Sequence, residues 1–134
     1  MNLIVSTVFM LLCVLSPLSA QARTWYVKAD STGDAPTIRA AIDSAQAGDE
    51  VLVGPGAYTW SNQVGVEPDW ALIHVDKDIW LHSEDGPAAT VLDAEGHSNC
   101  VSIYLEGVDI HPTIEGFTIT GGSADVRRSK ETES

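Results

Sequence analysis

Trp80 and His82 are the residues whose type and spacing could best do chemistry, because they alternate with Ile79 and Leu81 in one short run. If the aliphatic pair points inward, the two-residue period of an extended strand sends the indole and the imidazole outward on one face. An indole so placed stacks on a sugar ring, and an imidazole hydrogen-bonds sugar hydroxyls. The competing expectation is that Trp80 is covered by the loop over 61–70 or by the strand around Trp25. Trp60 and Trp70 flank that loop and either line a groove or hold the loop down. Both substrate-binding assignments, Trp80 and His82, rest on this alternation alone.

Other reactive groups offer less. His74, His82, His97 and His111 show none of the spacings of helical or finger-type zinc sites, and only His74 and His82 are expected to share an outward face. No metal site is therefore assigned. Carboxylates are denser, at Asp76 and Asp78, Glu84 and Asp85, and Asp93 and Glu95. Calcium takes about six to eight oxygens from such turns, but no cluster has the twelve-residue loop signature. No cofactor is expected, and calcium is the one ion these turns leave open. Among 19 Asp and Glu residues, some pair will meet the separation of about 5–9.5 Å used in glycoside cleavage by chance. Catalytic residues thus stay unknown. Gly54-Pro55-Gly56 follows a strand without opening a helix, and Pro55 lacks the backbone donor a phosphate-cradling loop needs.

The 134-residue chain carries a net charge of −12. Residues 2–19 are almost wholly apolar or small, and Ala20-Gln21-Ala22 is a small-x-small cleavage site. This predicts a signal peptide over 1–22, secretion or periplasmic export, and no stable membrane anchor. Cleavage would remove Cys13 and leave Cys100 without a partner, so no disulfide is expected and Cys100 is read as a small core residue. The acidic surface excludes nucleic acid as a partner and repels polyanions unless a cation bridges them. Neutral extracellular polysaccharide, or calcium-assisted binding, fits the charge.

Positioning elements can be read in order. Arg23 to Lys28 reads as a strand around Trp25 and Val27. Ile38, Ala41, Ile42 and Ala45 form a helical stripe, with Thr37 as N-cap and Gly48 as the stop, predicting a helix from Thr37 to Ala47. Val51-Leu52-Val53 is a buried strand closed by Gly54-Pro55-Gly56. Further strands are expected at Ala71 to Val75, Asp78 to Ser83, Ala89 to Asp93, Cys100 to Leu105 and Thr113 to Gly122. From Ser123 the chain is polar and charge-mixed, predicting a disordered tail over 123–134.

The segment from Pro36 through Gly56-Ala57-Tyr58 resembles the opening of the pectate-lyase-like family of right-handed parallel β-helix proteins. Lys77 to Leu81, Ala89 to Asp93 and Ile114 to Gly122 follow in the family's order. The resemblance implies an all-β fold: about three incomplete coils of a β-helix over 23–122, with an N-terminal capping helix. Ile79 and Leu81 are expected to recur as Phe117 and Ile119, at spacings of 28 residues from Val53 to Leu81 and 38 from Leu81 to Ile119. A small antiparallel β-sandwich is the rival. For longer relatives the resemblance implies polysaccharide lyase, glycoside hydrolase or adhesin-like function. For this chain it implies a fragment that binds or helps process polysaccharide, with no catalysis of its own. A glycan-binding surface module and a non-functional truncated product are the alternatives, and self-association is expected through the exposed solenoid end.

Overall fold

The computed structural model describes residues 21–64 and 70–123. The expected signal peptide, apart from its last two residues, the centre of the 61–70 loop, and the tail beyond Ser123 lie outside the described residues. The regular structure of the described chain is mostly strand, with little helix. Its elements are β1 (Thr24–Val27), α1 (Ile38–Ser44), β2 (Glu50–Val53), β3 (Gly56–Thr59), α2 (Trp60–Gln63), β4 (Ala71–Val75), β5 (Trp80–Ser83), β6 (Thr90–Asp93), β7 (Asn99–Ile103), β8 (Thr113–Glu115) and β9 (Thr118–Thr120).

Among the described residues three sheets form, in the orders β1-β2-β5-β8, β3-β6-β9 and β4-β7. The chain gives β2, β3 and β4 to three different sheets, then returns to the same sheets in the same order with β5, β6 and β7. All six ladders are parallel, and their partners lie 26 to 34 positions apart. Parallel pairing excludes the antiparallel sandwich.

The register stacks like on like. Trp25, Val51, Leu81 and Ile114 form one row, and Tyr58, Leu92 and Ile119 another. Val51, Leu81, Tyr58 and Leu92 are wholly buried, and each such side chain stabilises the fold by about 1.5–3 kcal/mol relative to leaving it in water. Tyr58 closes the Gly-x-Tyr signature: its hydroxyl donates to Gly54 O at 2.8 Å, and burial pushes its pKa up to about 12. Two residues earlier, Gly56 has φ +146, and a Cβ there would lie 2.5 Å from Ala29 Cβ. Strand β3 therefore begins where sequence reasoning placed only a turn.

Helix α1 has Thr37 as its N-cap, the hydroxyl accepting from Ala40 N at 3.0 Å. Ile38, Ala41 and Ile42 are fully buried, and the helix contacts β1, β2 and β4. It ends at Ser44, short of the expected Ala47, and Ala45 is already extended. Two groups from outside the helix enforce this end. Lys77 Nζ donates to Ile42 O at 2.9 Å and Ala45 O at 3.0 Å, and Asp49 Oδ2 accepts from Gln46 N at 2.9 Å. Gly48, with φ +91, serves the turn that follows and not the helix stop.

Two further expectations are corrected. The 61–70 loop begins inside a short helix, α2, which Thr59 and Asn62 cap reciprocally. The Thr113–Gly122 segment is two strands in two sheets, broken where Gly116 takes φ +83. Leu81 consequently stacks on Ile114, and Ile119 stacks on Leu92, so the expected match of Ile79 and Leu81 to Phe117 and Ile119 does not hold. The left-handed turn at Gly116 divides the segment and moves the residues beyond it onto the β6 ladder.

Candidate functional site

Within the β1-β2-β5-β8 sheet, Leu81 is buried and its neighbours alternate outward. Trp80 is 43% exposed, and His82 is half-buried. Their rings stack with centroids 3.7 Å apart and planes 5° from parallel. Neighbouring strands supply carboxylates to both rings. Trp80 Nε1 donates to Glu115 Oε1 of β8 at 2.7 Å, while His82 Nε2 lies 2.5 Å from Glu50 Oε1 of β2. Glu50 Oε2 also accepts from Thr24 Oγ1 of β1 at 2.9 Å. One continuous surface thus crosses four strands. Its indole is fixed on one ring face and at its N–H, and the residue remains 43% exposed.

Electrostatics follow from these bonds. The imidazole of His82, with a smaller contribution from Thr24, holds the Glu50 carboxyl below its ordinary value. Asp49, next in the chain, faces the other way and is buried. It accepts from Arg23 N at 2.9 Å, Trp25 Nε1 at 3.2 Å and Gln46 N at 2.9 Å, and these backbone bonds in particular lower its pKa. A general acid needs the opposite displacement. The carboxylates of Asp30, Asp49, Glu50 and Glu95 are all displaced downward.

The remaining sequence-selected residues divide. Trp60 stacks on His97 at 5.1 Å, and Ser61 donates from both its backbone N–H and its hydroxyl to Glu95 Oε2 at 2.7 and 2.6 Å. Trp60 is therefore part of a pinned corner. Trp70 instead is 83% exposed and lines a groove of about 470 Å³ with Arg39, His74, Asn99, Ser102 and Tyr104. His74 belongs to β4 and His82 to β5, in different sheets, so they do not share a face. Cys100 is buried, and burial pushes its thiol up.

Most of the turn carboxylates meet protein groups, although Asp76 Oδ1 is buried and accepts no hydrogen bond among the described residues. Tyr26 Oη donates to Glu84, His111 N donates to Asp78, Glu95 N donates to Asp93 Oδ1 at 2.8 Å, and Asp76 lies 3.7 Å from Lys77 Nζ. Among the described residues no group of three or more His, Cys, Asp or Glu is placed to hold a metal ion. No described helix is long and apolar enough to cross a membrane.

Sequence reasoning missed Glu50, Glu115 and Thr24. They reach Trp80 and His82 through ladder register across 30 or more positions, or through one another, and no local motif announces such a meeting. Comparison with protein-family models, with curated proteins and with solved structures finds no match.

Proposed function

We propose that this chain is the N-terminal portion of a secreted or periplasmic right-handed parallel β-helix with α1 as its cap, and that it binds neutral polysaccharide without catalysing a reaction. The return of the chain to three parallel sheets in constant order supports the fold reading, as do the buried face of α1 and its contacts with the first strands of two sheets. Right-handed crossovers are the overwhelming rule for parallel strands. The exposed residues along the β7, β8 and β9 edge support self-association there.

The observation carrying the binding function is the preorganised indole of Trp80. Its stacking on His82 and its bond to Glu115 fix a ring that would otherwise lose rotamer freedom on meeting a sugar. The test is retention on insoluble neutral polysaccharides by affinity electrophoresis. Trp80→Ala should weaken retention roughly tenfold, equivalent to about 1.4 kcal/mol. Equal retention of wild type and Trp80→Ala would remove the site from this face. Loss in Trp70→Ala alone would move it to the β4–β7 groove.

A further inference from the structure

Asp49 is a buried carboxylate whose hydrogen-bond partners are all N–H groups: Arg23 N, Trp25 Nε1 and Gln46 N. The Arg23 guanidinium does not reach it by a hydrogen bond but lies over the Trp25 ring, 3.8 Å from the centroid. The Asp49 charge is held by these N–H donors and, without direct contact, by the Arg23 guanidinium, and a cation in direct hydrogen-bond contact would hold it more strongly still. The position that could supply one is the nitrogen of Arg23, already 2.9 Å from Asp49 Oδ1. Arg23 directly follows Ala20-Gln21-Ala22, the small-x-small site of the expected signal peptide.

We propose that Ala22–Arg23 is the processing site and that Asp49 is the receptor for the α-ammonium group that cleavage creates. Hydrolysis of that peptide bond adds water across it. Ala22 leaves with the new carboxylate, and Arg23 keeps the nitrogen, which takes up a proton at neutral pH. A neutral N–H donor becomes an ammonium at the same place, and a charge-assisted bond to a carboxylate is roughly twice as strong as a neutral one. The rest of Arg23 is held for this role. Its carbonyl accepts from Glu50 N at 2.8 Å, continuing the β1–β2 ladder, and its side chain is fixed over Trp25. Gln21 and Ala22 are exposed, so the bond is open to a peptidase. Maturation would thereby tighten the joint between β1 and the turn that follows α1.

The inference rests on the signal-peptide reading, and two measurements separate the two. Intact mass and N-terminal sequencing of the exported chain test the cleavage position. A chain beginning at any residue other than Arg23 overturns the proposal. Thermal melting then compares the chain beginning at Arg23 with the same chain Nα-acetylated and with one retaining Ala22. The free Arg23 form should melt about 4–8 °C higher than both, the shift that about 1 kcal/mol produces in a domain of this size. In an Asp49→Asn background the three forms should converge. Should that variant fail to fold, the acetylated and Ala22-retaining chains still decide the matter. Cleavage at Arg23 with equal melting of all three forms keeps the signal peptide and removes the ammonium receptor.

Discussion

Leu92 and Ile119 occupy neighbouring places in one row, yet Leu92 is wholly buried and Ile119 is 53% exposed. The same contrast separates the two ends of the stack. On the α1 side, Val27, Val51 and Val53 are all at zero exposure; on the far side, Ile103 is 50% exposed although its partner Val75 is fully buried. Side-chain type is the same in each pair. Strand neighbours alone do not explain it, because β1, β3 and β4 also have a single strand partner. What differs is that α1 packs against β1 and β4 and α2 against β3, whereas no described helix packs to the same extent on β7, β8 or β9.

The largest expected effect sharpens that contrast. Leu92→Ala should cost about 2–5 kcal/mol, the range for emptying a closed core position. Ile119→Ala should cost at most about 0.5 kcal/mol, as at exposed positions. Denaturant unfolding of the two variants measures both. Equal losses would break the comparison and show Ile119 to be covered in solution.

Asp49 gives the next effect. Asp49→Ala leaves three donors without their acceptor on the α1 side; the bonds are only partly buried, so water can replace the lost acceptor in part and the total cost should be about 1–3 kcal/mol. Its pH signature has a definite sign. Asp49 and Glu50 both bind protons less readily in the folded chain than their ordinary values. Their contribution is therefore full above the ordinary carboxyl range, near pH 4, and fades as pH falls through the lower folded values. Acid unfolding below about pH 4 should be shallower in Asp49→Asn and in Glu50→Gln than in the wild type. An unchanged acid limb in both would assign it to other carboxylates.

The smallest effect tests how α1 is held. Lys77→Met keeps the aliphatic stem but removes the ammonium that serves Ile42 O and Ala45 O, and should cost about 1 kcal/mol. Amide exchange in Ala41 to Ala45 should quicken while that in β6 stays the same. Equal quickening in β6 would mean that α1 and the middle strands open as one unit.

Much of the fold was legible in local pattern. Thr37 as a cap, the Ile38, Ala41 and Ile42 stripe, and the strand Ala71 to Val75 follow from periodicity, which reports on residues a turn or two apart. Errors arose where a distant partner decided the outcome. Lys77 and Asp49 shorten α1, and a left-handed glycine at 116 divides a run that reads as one strand. The site was half legible for the same reason. Alternation shows Trp80 and His82 facing one way, but Glu50 and Glu115 join them only through register, a property of paired strands that neither strand contains by itself.

The modest separation between ladder partners bears on how the molecule is made. No strand must wait for a partner far along the chain, because each lies down on a surface completed about thirty residues before it. Emerging from the ribosome or a translocation channel, the polypeptide can zip itself together from the amino end, with the latest strand always the growing front.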